Sequence, residues 1–122
     1  MSTKILHVED NPANRMIVRD LLQFRGYRVV EVMDGGEALA AAERERPDLI
    51  LMDIQLPSIS GLEAARRIKA REDLRAIPIV AVTSFALSGD DQKAFAAGCD
   101  GYIAKPYKPR DLLELIQKLL KS

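Results

Sequence analysis

Short apolar runs alternate along the chain with longer stretches in which apolar residues recur every three or four positions. Residues 5–8 (Ile5, Leu6, His7, Val8) form a brief strand-like run that ends at Glu9-Asp10. Asn11-Pro12 then reads as a helix start, with Asn at the cap and proline at the first helical position, where its missing N–H costs nothing. Ile17, Leu21 and Phe24, with Val18 and Leu22 beside them, draw a helical face that Gly26 ends. Residues 28–32 are rich in valine and predict a second strand, followed by an Asp34-Gly35-Gly36 turn and a helix over 37–46 that Pro47 closes.

The third and fourth strands have a different texture. Residues 49–52 and 79–82 are continuously apolar, which suits strands covered on both faces, and they end at Asp53 and Thr83. Ser60-Gly61-Leu62-Glu63 has the capping-box pattern and predicts a helix to about Ala70. Ser88 is expected to cap a fourth helix that Gly98 ends. Residues 101–104 form a fifth strand ending at Lys105-Pro106, and 109–121 a last helix with Leu112, Leu113, Ile116, Leu119 and Leu120 apolar.

Five strand-then-helix units imply a parallel sheet with right-handed crossovers and helices on both faces. The expected fold is α/β, a flavodoxin-like doubly wound sheet of five parallel strands in the order 2-1-3-4-5 with five helices; a barrel would need eight units. Ligands of such sheets bind beyond the carboxyl ends of the strands. Four of the five strands deliver a charged or reactive group to that rim: Glu9 and Asp10, Asp53, Thr83, and Lys105.

Composition narrows the partners. The 122 residues make one domain, and 18 basic against 18 acidic residues leave no net charge, so neither nucleic acid nor a membrane surface is expected. The single Cys and single His build neither a disulfide nor a zinc site. With no apolar span and no basic-then-apolar leader at its start, the chain is expected in the cytoplasm.

Three carboxylates crowded on one rim repel each other without a cation, and an open oxygen site of this kind suits Mg²⁺. A carboxylate nucleophile, a divalent metal, a lysine and a hydroxyl are the parts needed to form an aspartyl phosphate. Two other readings of the fold fit less well. Glu9-Asp10 would repel a flavin phosphate after strand one, and a haloacid-dehalogenase-like phosphatase would carry an acid where Gln55 stands.

Glu9-Asp10-Asn11, Leu51-Met52-Asp53-Ile54-Gln55-Leu56-Pro57, Ser60-Gly61, Val82-Thr83-Ser84 and Lys105-Pro106 together resemble the receiver domain of two-component response regulators. The similarity runs from Lys4 to about Leu120, and the stretches around Asp53 and Thr83 look most like stand-alone receivers of the DivK type. The resemblance implies a phosphorylation-dependent signalling switch. Asp53 matches the phosphoacceptor, served by a phosphohistidine on a histidine kinase or histidine phosphotransfer protein. Glu9, Asp10, Asp53 and the backbone carbonyl of Gln55 match the Mg²⁺ ligands. Lys105 matches the lysine that pairs with the phosphoryl oxygen, with a cis bond to Pro106, and Thr83 and Tyr102 match the switch pair. Such a protein assists its own phosphorylation and dephosphorylation but turns over no other substrate. Its downstream protein target is expected on the face of helix 4, strand 5 and helix 5.

Residues 1–122 are expected to be one receiver without an output domain, and the Met-Ser-Thr start suits a natural stand-alone chain. Pseudo-receiver scaffolding is disfavoured because every acidic and switch position is intact. His7, in the middle of a central strand, is read as a structural histidine, and Cys99 as a small packed residue. Arg44, Arg46, Arg66 and Arg67 read as solvated helix faces, while Leu115 and Leu119 suit either core or partner contact.

Overall fold

The computed structural model describes residues 2–84 and 89–121. Its elements follow in strict alternation: β1 (Lys4–Val8), α1 (Pro12–Phe24), β2 (Arg28–Val32), α2 (Gly35–Glu45), β3 (Leu49–Asp53), α3 (Gly61–Lys69), β4 (Ile79–Thr83), α4 (Asp90–Ala96), β5 (Gly101–Ala104) and α5 (Pro109–Leu120). The strands form one parallel sheet in the order β2-β1-β3-β4-β5.

Each face of the sheet is sealed by its own helices. Leu6, Val8, Ile50, Met52, Ile79 and Ala81 point to the side covered by α2, α3 and α4. Those helices meet the sheet through alanines such as Ala38, Ala42, Ala65 and Ala94, which let backbone lie close to backbone. On the other side Ile5, Leu49, Leu51, Val80 and Val82 pack against Val18 and Leu22 of α1 and Leu112, Leu113 and Ile116 of α5. All five residues of β3 and of β4 are buried, which explains why their sequences do not alternate.

The helix starts carry two departures from expectation. Asp34-Gly35-Gly36 is not a free turn: Asp34 caps α2, its Oδ1 accepting from the Glu37 amide at 3.0 Å, and the two glycines are the first residues of the helix. A Cβ on Gly35 would collide with the backbone carbonyl of Ile59, so glycine there admits the β3–α3 loop. At α3 the capping box is half formed. Ser60 Oγ accepts from the Glu63 amide at 3.2 Å, but the Glu63 carboxylate pairs forward with Arg67 at 3.1 Å instead of reaching back.

Asn11 caps α1 as expected, accepting from the Ala13 and Asn14 amides. α4 opens after Gly89; the expected cap Ser88 lies outside the described residues. Leu115 and Leu119, left open from sequence, are half-buried, and their methyl groups close over Gly101 of β5. Arg44, Arg46, Arg66 and Arg67 are exposed, as read from sequence.

Candidate functional site

Parallel pairing aligns the strand ends, so the residues at or just beyond the ends of β1, β3, β4 and β5 arrive on one rim. Glu9 remains in register beyond β1, its amide donating to Val32 O at 3.1 Å. Glu9 is only 2% exposed, and Asp53 at the end of β3 only 4%. Asp10, one residue on, is exposed. One carboxylate oxygen from each of the three lies within 4.8 Å of the other two, close enough to ligate one cation.

Lys105 reaches this cluster from β5. Its Nζ is 2.9 Å from Glu9 Oε1 and 3.8 Å from Asp53 Oδ2. The backbone steadies it from behind, the Lys105 amide donating to Thr83 O at 2.7 Å, and the Lys105–Pro106 bond is cis. Asp53 Oδ1 accepts from the Gln55 amide at 2.9 Å.

The two buried acids titrate against each other. Burial, and then the neighbouring Glu9, push the Asp53 carboxyl up to about 7. Glu9 is also penalised by burial, but hydrogen bonds from the Asp53 carboxyl and from Lys105 outweigh that and hold it below the usual range. Without a cation, then, Asp53 is the acid of the pair displaced toward its protonated form near neutral pH, and Glu9 the one favoured as the anion.

Thr83 is fully buried at the end of β4. Its Oγ1 accepts from Gln55 Nε2 at 3.0 Å, and Gln55 Oε1 accepts from the Ser84 amide at 3.1 Å. Tyr102 is half-buried on β5 and packs against the core under α3 and α4; burial, then Asp90 and Asp91 at the start of α4, raise its phenol above the ordinary value. The structure thus gathers Glu9, Asp10, Asp53, Gln55, Thr83 and Lys105 on one rim, with Tyr102 three residues before Lys105.

Two other contributors carried little or no sequence signal. Arg15 on α1 turns back and donates through one nitrogen to the carbonyls of Glu9 and Asp10, both at 3.0 Å, pinning the acidic pair from behind. An arginine at that place is indistinguishable in sequence from the solvated arginines elsewhere. Gly61 was legible only as part of a motif. A Cβ there would strike the Asp53 carbonyl, so glycine lets α3 start hard against the candidate nucleophile.

A cleft of about 440 Å³ runs from this rim between α1 and the start of α5, lined by Ile17, Leu21, Tyr107 and the buried His7. His7 is 4% exposed and its Nδ1 has no partner among the described residues; burial pushes the imidazole down to about 4, so it is neutral at pH 7. Cys99 is buried, and burial followed by Asp100 pushes its thiol up to about 11, which leaves it unreactive.

This sheet order brings acids, a lysine and a hydroxyl together at its carboxyl end, a set of groups suited to a hard cation and a phosphoryl group. Residues 5–117 match the family model described as the response regulator receiver domain. The chain belongs to that family, the phosphorylation-dependent switches of two-component systems. It is 44% identical over 120 residues to the polar-differentiation response regulator DivK of Brucella anthropi, covering 98% of each chain. Among solved structures it is similar to the receiver domain of sensor histidine kinase PA1611 from Pseudomonas aeruginosa, at 43% identity, TM-score 0.92 and full coverage of both chains. That receiver holds a magnesium ion coordinated in its active site cleft. Chemotaxis response regulator CheY4 of Vibrio cholerae is similar at 32% identity and TM-score 0.90, with 98% of this chain and 99% of that one covered. Among the described residues no helix is long and apolar enough to cross a membrane.

Proposed function

We propose that Asp53 is the phosphoacceptor, taking a phosphoryl group from a phosphohistidine on a histidine kinase or histidine phosphotransfer protein. An Asp53 carboxylate oxygen attacks phosphorus, the P–N bond to the donor imidazole breaks, and that nitrogen takes up a proton from water. The observation that carries this reading is the closure of Glu9, Asp10 and Asp53 within 4.8 Å beside the Lys105 ammonium. An acid pushed up to about 7 by burial and then by a second acid marks a site short of positive charge, and the donor set of three carboxylates suits a hard cation.

Glu9, Asp10, Asp53 and the Gln55 carbonyl are the residues that would hold Mg²⁺. When bound, that ion supplies charge neutralisation at the phosphoryl oxygens. Lys105 adds a second positive charge on the same side, and the Thr83 hydroxyl is the donor that moves to the phosphoryl group. Tyr102 follows Thr83 and alters the face of α4, β5 and α5, where a downstream protein binds.

The receiver assists its own phosphorylation and dephosphorylation through the same rim of acids, lysine and hydroxyl. The reading includes action in the cytoplasm, where histidine kinases present their phosphohistidine. Acetyl phosphate with Mg²⁺ tests it: one phosphoryl group, labile to hydroxylamine, should appear on Asp53. Label on another residue, or full label on Asp53→Asn, overturns the assignment.

A further inference from the structure

Gln55 occupies an unusual position between the acid cluster and β4. Its side chain is solvent-exposed, where a long amide would ordinarily sample many rotamers, yet both ends of that amide are engaged. Nε2 donates to Thr83 Oγ1 at 3.0 Å, and Oε1 accepts from the Ser84 amide at 3.1 Å. At the same time its backbone amide is held by Asp53 Oδ1 at 2.9 Å. One residue therefore grips the reacting carboxylate with its backbone, and with its side chain the last residue of β4 and the first of the β4–α4 connection.

We infer that the Gln55 side chain is a clasp that holds Thr83 and Ser84 in the unphosphorylated arrangement and sets the resting balance of the switch. The inference rests on the reading of Asp53 as phosphoacceptor and Thr83 as the moving hydroxyl. For that hydroxyl to approach a phosphoryl oxygen it must leave Nε2, and the chain at Ser84 must leave Oε1. Both hydrogen bonds belong to the resting form alone, so they weight the equilibrium toward it. Any ligand of the active form must then work against them, and its apparent affinity falls by the fraction of molecules that are unclasped. Gln55 is in this sense a positioning residue: it touches Thr83, and through Thr83 governs how readily phosphate at Asp53 is converted into a changed surface.

The polar bonds can be removed while the length of the side chain is kept, with Gln55→Met. Two partly exposed hydrogen bonds correspond to about a fivefold shift in the balance. Beryllofluoride with Mg²⁺, a phosphoryl mimic, should therefore bind Gln55→Met about fivefold more tightly than wild type. The ligand-free spectrum of Gln55→Met should also have its 90–104 amide resonances displaced part-way along the wild-type path from free to bound. A purely structural role for Gln55 gives the opposite sign, weaker binding with no displacement along that path, and overturns the clasp. If wild type itself shows no response to beryllofluoride, the phosphoacceptor reading fails and takes the clasp with it, whereas a normal wild-type response with no tightening in Gln55→Met overturns the clasp alone. Should Gln55→Met fold poorly, the wild type provides the measurement. Its Gln55 side-chain amide protons should exchange with water faster once beryllofluoride is bound, and an unchanged rate overturns the clasp.

Discussion

Lys105 and Glu9, 96 positions apart, meet in an ion pair of 2.9 Å in which the Glu9 side chain is almost wholly buried. The ammonium stands farther, 3.8 Å, from Asp53. In the resting protein Lys105 neutralises the acid beside the candidate nucleophile and leaves the nucleophile itself weakly paired. A phosphoryl group on Asp53 would compete with Glu9 for the same ammonium.

Lys105→Met should therefore damage two properties at once. A buried Glu9 without its partner should lower stability at pH 8 by about 2 kcal/mol without Mg²⁺, read by urea unfolding. Label uptake from acetyl phosphate should slow by about tenfold or more. A variant as stable as wild type would mean that the pair contributes nothing to the resting fold.

The Asp53 carboxyl is displaced from an ordinary 3.8 up to about 7, and the sign of its effect on stability follows. Between those values the folded chain keeps a proton that the unfolded chain has lost. Stability from this group is thus complete below about pH 4 and drains away as pH rises through 7. Asp53→Asn cannot take part in this. Without Mg²⁺ it should exceed wild type by about 1–2 kcal/mol at pH 8, with the gap closing toward pH 4. A gap independent of pH would contradict the upward displacement of the Asp53 carboxyl.

Metal binding should show the same linkage from the other side. Mg²⁺ must displace the Asp53 proton, so its affinity should fall about tenfold for each unit of pH below 7. Asp10→Asn, which removes an exposed carboxylate of the trio, should weaken Mg²⁺ by at least about tenfold at any pH, measured by titration of the amide resonances. An unchanged metal response would remove Asp10 from the ligand set.

Thr83→Ala leaves the carboxylates and Lys105 in place, so it should still accept phosphate at Asp53. It should lose most of the beryllofluoride-induced shift in residues 90–96. Shifts equal to wild type would show that the hydroxyl is not the trigger.

Gly61→Ala tests the packing that holds the nucleophile. The added methyl group would meet the Asp53 carbonyl, which cannot yield without moving β3 or α3. A loss of about 2–3 kcal/mol is expected, with slower phosphorylation in the fraction that remains folded. Wild-type stability and rate together would show that α3 can retreat at no cost.

Much of this was legible along the chain because it depends on neighbours in sequence. Strand and helix periodicities, the Asn11 cap, the burial of residues 49–52 and the five-unit alternation are local patterns, and alternation with right-handed crossovers leaves few sheet orders to choose from. The rim residues could be named for the same reason, since a parallel sheet presents all its strand ends on one side. The Asp34 cap was missed because a Gly-Gly pair reads as a turn until Ile59 is seen to need the space.

What tertiary structure alone decided is how those rim residues are partnered. That Lys105 is bonded to Glu9 and stands off from Asp53, that burial and Glu9 push the Asp53 carboxyl upward, that Arg15 pins the acidic carbonyls and that the Gln55 amide spans Thr83 and Ser84 are matters of short distances between positions that the fold brings together. Hydrogen bonds and buried charges change steeply over such distances. Strand register and helix packing set them, and no spacing along the chain encodes them.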